Sequence, residues 1–216
     1  MLSKLLARIS TYAAQRGVVD SLFFFFRSAL QLCRGVLRGY WLVFLGRSVV
    51  IRARKRVSIG KFSRIEDYVE LDGFGSEGIQ IGSFCKVGKF SVVRVPSVPY
   101  LPGVGIIIGD GSTLAEYCFV GGAARVVIGS HNAIGQYVSM HPQNHLPNGE
   151  KEETRTSSLG IRIGNDNWIG AKATILDGSS IADRVIVAAA AVVRGEFGSD
   201  VLVAGVPAVT KRILKA

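Results

Sequence analysis

Taking a proton from an alcohol near neutral pH calls for an imidazole, whose ordinary pKa of about 6.5 sits close to working pH. The 216-residue chain offers three histidines, His131, His141 and His145. A zinc centre of three histidines would need all three to converge. A carboxylate often orients a catalytic imidazole, and Glu116, Glu150, Glu152 and Glu153 are the available ones; each reads at least as well as a solvated charge. Cys33, Cys85 and Cys118 are too few and too scattered for a disulfide framework and fit a reducing compartment.

What positions these residues is a beat of six. An aliphatic residue recurs at Ile163, Ile169, Ile175, Ile181, Val187 and Val193, mostly followed by a small residue, with a second modest residue four places on at Asn167, Ala173, Ser179, Val185 and Ala191. A helix repeats every 3.6 residues and a half-buried strand every two, so a period of six predicts neither. It predicts short strands and turns stacked as a parallel β-helix, each coil burying an aliphatic ladder on the next. The beat reaches upstream through Ile134, Ile128, Leu114, Ile108, Val87, Ile81, Ile65 and Ile59, and Cys85 and Cys118 occupy its small-residue position. The expected fold is therefore all-β, one β-helical domain over residues 57–216 behind a helical segment over 1–56.

With three hexads to an 18-residue coil, breaks in phase locate what has been pushed out. Between Ile128 and Ile163 the chain carries 17 residues more than one coil, predicting a solvated loop over 146–162. A second excursion, Arg94 to Gly105, holds Pro96, Pro99 and Pro102, which cannot donate to a ladder. The histidine spacings are not multiples of a coil, so three stacked zinc ligands are not expected. Counting from Met140, His145 closes a hexad at its sixth place, directly before the loop.

The net charge of +10 is confined to one end. Residues 1–56 hold eleven Lys or Arg and one acid, Asp20, whereas residues 57–216 carry fifteen of each sign. Asp20, Arg27, Arg34 and Arg38 break up the apolar runs, leaving nothing near the roughly 20 residues of a membrane span, and Arg8 and Arg16 interrupt any signal-peptide core. Bases alternating with large apolar residues, Leu22 to Phe26, Leu30 and Tyr40 to Leu45, predict amphipathic helices that cap the β-helix, lie on an anionic membrane surface, or do both. Nucleic acid is not the expected partner, because the bases are not set among small polar residues and loops.

The run Ile-Gly-Asn-Asp-Asn-Trp-Ile-Gly-Ala at 163–171 and the run Ala-Gly-Val-Pro-Ala at 204–208 resemble the C-terminal half of the hexapeptide-repeat acyltransferases, particularly their sugar O-acetyltransferases. The resemblance spans roughly residues 57–214. It implies a left-handed coil, a homotrimer and acetyl-CoA as acyl donor, with no metal. It also implies that His145, after Asn144, is the general base that lets a sugar hydroxyl attack the thioester directly. Small residues at Ala171 and Ala189 match the groove for the pantetheine arm, Trp168 matches a wall of the site or a residue packed under the loop, and Arg194, Lys211 and Arg212 match the far end of the cofactor. Gly195 and Val209 stand where relatives often carry bases, and Asp177-Gly178-Ser179 replaces a usual Pro-Gly-Val. Together with the basic N-terminus, the resemblance leads to a cytoplasmic enzyme, peripheral on the membrane, that acetylates a lipid-linked or polymeric glycan. An N-acetyltransferase of amino nucleotide-sugars, a non-enzymatic β-helical scaffold and a zinc carbonic anhydrase are the alternatives.

Overall fold

A computed structural model describes residues 22–23, 25–98, 101–145 and 156–214. Its strands stack into a left-handed parallel β-helix with three faces, closed by a hairpin at the C-terminal end. The first face runs from Phe44–Leu45 through Arg64–Ile65, Lys86–Val87, Thr113–Leu114, Ala133–Ile134, Trp168–Ile169 and Ile186–Val187 to Val201–Gly205. Seven strands form each of the others, the second face from Val50–Arg52 to Val192–Val193 and the third from Val57–Ile59 to Glu196–Phe197. The last strand, Ala208–Ile213, turns back antiparallel on Val201–Gly205 and blunts the open edge.

The six-residue beat maps directly onto this prism. Ile163 pairs with Ile181, Ile169 with Val187 and Ile175 with Val193, each 18 residues on, and all six are buried in the shared core. The residues four places after each aliphatic one turn inward at the edges, where a change of direction interrupts the backbone ladder. Their side chains bridge the coils instead. The Ser63 hydroxyl donates to the Gly82 carbonyl (2.7 Å) and accepts from the Cys85 amide (3.0 Å), and Ser91 and Ser112 repeat the pattern one and two coils further on. Asn132 and Asn167 continue it, the Asn132 carbonyl oxygen accepting from the Asn167 amide and the Asn167 oxygen from the Val185 amide. This is why the position favours small polar residues: a buried hydroxyl or amide is tolerated only when it is hydrogen-bonded.

The β-helix begins earlier than the hexad count predicts. Phe44 pairs with Arg64 and Val50 with Glu70, while Val43, Leu45 and Val49 are buried in the core. Residues 43–56 thus form most of a first coil inside the segment read from sequence as a helical appendage, and the run Tyr40 to Leu45 ends as a strand. The hexad signal is lost there because Arg47 and Arg52 stand among the apolar residues. Residues 22, 23 and 25–37 are helical, and residues 1–21 lie outside the described residues. The helix caps the open coil: Arg27 reaches the buried Asp67 carboxylate (3.0 Å), Arg38 donates to the Val49 carbonyl, and Gly35 lies against the Val43 carbonyl. Among the described residues no helix is long and apolar enough to cross a membrane.

Candidate functional site

Three edges join the faces, and the candidate residues are divided among them. The second edge, between the second and third faces, carries both excursions. Val93 pairs with Val120 and Met140 with Ile175, so the chain leaves the prism between them for 9 and 17 residues beyond a coil of 18. The first excursion contains a two-residue hairpin, Ser97–Val98 with Leu101–Pro102, which forms despite the prolines. The second begins as an antiparallel ribbon, Asn144 opposite Ser157 and His145 opposite Thr156. Residues 146–155, most of the expected loop, lie outside the described residues, as does the His145 side chain. The prism resumes at Ile161, which pairs with Val126, two residues before the Ile163 that the hexad count identifies.

The ribbon is rooted by Asp177, a residue that appears in the sequence only as a departure from the usual Pro-Gly-Val. Its buried carboxylate accepts the backbone N–H groups of Leu159 and Gly160 through one oxygen (2.8 Å each), and the Asn144 amide reaches the other (3.4 Å). Charge-assisted bonds of this kind are among the stronger ones available to a loop. Asp177 therefore holds both ends of the excursion that carries His145.

The other histidines sit elsewhere. His141 is on the outer side of the second face, stacked on Phe119 at 5.3 Å, and partial burial lowers its pKa below the usual imidazole value. His131 occupies a left-handed turn at the third edge, with φ 59°. Among the described residues no group of three His, Cys, Asp or Glu side chains could hold a metal ion.

Ala171 and Ala189 stack on the first edge, between the first and second faces, where the Ala190 amide donates to the Ala171 carbonyl (2.9 Å). The coils touch here: a Cβ on Gly170 would lie 2.4 Å from the Ala189 nitrogen. Lower on this edge the left-handed turn positions carry Tyr68, Phe90, Tyr117 and Tyr137, stacked ring on ring with centroids 4.9–5.1 Å apart. The column ends at Lys172 and Ala190, so the edge narrows from aromatic to small at the coils of Ala171 and Ala189.

Trp168 stands on the first face, paired with Ala133 and Ile186, and is 59% exposed. It does not pack under the excursion, which leaves from a different edge. Arg212 is on the same outward column, opposite Leu202, which pairs with Ile186; Lys211 adjoins it, and Arg194 lies exposed on the second edge beyond Asp177. One chain thus places His145, Asp177 and Arg194 on the second edge, Ala171 and Ala189 on the first, and Trp168, Lys211 and Arg212 on the first face.

Comparison with known proteins agrees with this architecture. The bacterial transferase hexapeptide (six repeats) family matches residues 160–195. The chain is 30% identical over 117 residues, 49% of its length, to WbbJ of Escherichia coli K12, assigned as a lipopolysaccharide biosynthesis O-acetyl transferase, and spans 60% of that protein. It is 29% identical over 110 residues, 48% of its length, to a chloramphenicol acetyltransferase of Agrobacterium fabrum, of which it spans 52%. In structure it is similar to a hexapeptide-repeat acetyltransferase of Vibrio cholerae, with a TM-score of 0.51 at 24% identity over 76% of this chain and 77% of the other.

Proposed function

We propose that this chain, a member of the hexapeptide-repeat transferase family with its left-handed β-helix, moves an acetyl group from acetyl-CoA to a hydroxyl of a glycan. The observation that carries the reading is a histidine-bearing ribbon, anchored by Asp177 on one edge, in a chain whose neighbouring edge falls away to Ala171 and Ala189. The likeness to WbbJ supports a sugar hydroxyl as acceptor.

In this reading the His145 imidazole takes the proton of the acceptor hydroxyl as its oxygen attacks the thioester carbonyl. The tetrahedral adduct collapses with loss of the coenzyme A sulfur, which recovers the proton from the imidazolium. The Ala171 and Ala189 edge accommodates the pantetheine arm, and Arg194, Lys211 and Arg212 supply positive charge for the coenzyme's phosphates. Because these groups occupy different edges of one prism, the complete site assembles where the first edge of one copy meets the second edge of another, consistent with a homotrimer.

The same reading places the enzyme peripherally at a membrane. Phe26, Leu37 and Trp41 are 74%, 84% and 65% exposed, close to Arg34 and Arg47, an arrangement suited to an anionic lipid surface. The deciding experiment is incubation with acetyl-CoA and a panel of glycans, amino sugars included, followed by mass spectrometry. Gain of one acetyl group at a hydroxyl supports the proposal; gain at an amino nitrogen moves it to N-acetylation, and no transfer to any acceptor removes it.

A further inference from the structure

The second edge holds a basic cleft at its first two coils, away from every residue assigned above. It is an open cavity of about 630 Å³ lined by Arg54, Lys55, Arg56, Phe74, Ser76 and Pro102, among others. The three bases lie on one turn of 3-10 helix that follows Ala53, itself in the left-handed region at φ 51°. The turn packs so closely on the next coil that a Cβ at Gly78, whose φ is +72°, would fall 2.0 Å from the Arg56 carbonyl oxygen.

Elsewhere on the lower coils the cations are matched. Arg27, Arg47 and Lys89 face Asp67, Arg52 and Arg94 face Glu70, Lys86 lies between Glu66 and Glu116, and Arg125 pairs with Glu77. Arg54, Lys55 and Arg56 have no carboxylate partner among the described residues. Arg54 donates to the Arg38 carbonyl and Arg56 to the Gly75 and Ser76 carbonyls, which leaves guanidinium N–H groups unspent, and Lys55 is exposed. Beside them Phe74 is half exposed and Pro102 adds a second apolar surface. Three unmatched cations on one turn, next to an open aromatic face, suit a ligand with clustered negative charge joined to a ring or an apolar chain.

We propose that this cleft binds the diphosphate of a diphosphate-linked oligosaccharide and that the same edge guides its sugars to His145. The proposal rests on the glycan reading above. The cleft belongs to the first and second coils and the His145 ribbon to the fifth, so at about 4.8 Å per coil they are about 14–19 Å apart, the reach of a short oligosaccharide rather than of one sugar. The first excursion lies between them on the same edge and contributes Pro102 to the cleft. Lipid diphosphates and nucleoside diphosphates both carry the required group, the first offering an apolar chain and the second a base to Phe74.

The test is calorimetric titration of the full chain with inorganic pyrophosphate, geranyl diphosphate, uridine diphosphate and sulfate, repeated on Lys55→Glu and Phe74→Ala, which break no hydrogen bond described for the fold; thermal melting confirms that each variant is folded. Pyrophosphate should bind more tightly than sulfate, and Lys55→Glu should weaken it at least tenfold while acetyl-CoA binding is unchanged. Phe74→Ala should erase the advantage of geranyl diphosphate over pyrophosphate if the acceptor is lipid-linked, or that of uridine diphosphate if it is nucleotide-linked. Equal binding of sulfate and pyrophosphate, no effect of Lys55→Glu, or an equal loss of acetyl-CoA binding in that variant would each overturn the proposal. Pyrophosphate binding that depends on Lys55, in a protein that acetylates no glycan, would leave the cleft standing and remove the acyltransfer reading alone.

Discussion

His145 and Asp177 divide the second edge between proton transfer and anchorage, and separate substitutions distinguish the two roles. His145→Ala should lower acetyl transfer by about 10²- to 10⁴-fold, the contribution of a positioned general base, without changing the melting temperature. His141, stacked on Phe119 and biased toward its neutral form by burial, is the internal control: a variant series in which His141→Ala is inactive and His145→Ala is not would place the base one strand end earlier. Asp177→Ala leaves the Leu159 and Gly160 N–H groups without their acceptor. Such a loss costs about 1–3 kcal/mol when the groups stay buried. Its signature should be a lower kcat with unchanged KM for acetyl-CoA, partly restored in Asp177→Asn, which keeps one oxygen as acceptor.

At the scale of the coil, stability depends on edge residues as much as on the aliphatic ladder. Cys118 is buried, its thiol lies 3.2 Å from the Gly135 carbonyl oxygen, and its pKa is pushed up to about 11, chiefly by desolvation; Cys85 is raised for the same reason. Because the folded pKa of Cys118 exceeds the ordinary thiol value of 9.0, folding favours the protonated form. Its contribution is complete below about pH 9 and is lost as pH rises toward about 11. Urea melts across this range should show falling stability, with a shallower fall in Cys118→Ser; an identical slope in both proteins would remove the assignment. Exposed Cys33 should react with iodoacetamide well before Cys85 or Cys118. On the first edge, Ala189→Trp should raise the KM for acetyl-CoA and leave acceptor binding unchanged, and unaltered coenzyme titration would rule out that edge as the groove.

For the whole molecule, the decisive question is what the charged end touches. Five of the eleven bases in residues 1–56, Arg47, Arg52, Arg54, Lys55 and Arg56, belong to the first coil rather than to an appendage. Removing all 56 residues would therefore strip Val43, Leu45 and Val49 from the core and uncover the coil above, so aggregation is the expected result. Finer changes test the membrane reading. The full chain should float with anionic liposomes and come off as salt screens an attraction of about 1 kcal/mol per surface base. Deleting residues 1–21, with Lys4, Arg8 and Arg16, should weaken flotation at low salt, and replacing Phe26, Leu37 and Trp41 with Ser should weaken it at every salt concentration. Flotation indifferent to lipid charge would leave only the aromatic and aliphatic side chains as the anchor.

The period of six, the 18-residue coil and the 17-residue break after Ile128 were legible in the sequence because each is a one-dimensional property: an aliphatic residue must return to the core every third of a turn, whatever lies above or below it. The buried roles of Ser63, Cys85, Ser91 and Asn132 follow from the same count. The first coil was not legible, since Arg47 and Arg52 mask its pattern with outward charge and its place is set by pairing with residues twenty positions later. Nor was the role of Asp177, whose partners lie 17–33 residues away and meet it only after the excursion has closed. Which edge each residue occupies depends on every insertion before it, so only the stacked coils decide that His145 and the basic cleft share one edge while Ala171, Ala189 and Trp168 stand on other parts of the prism.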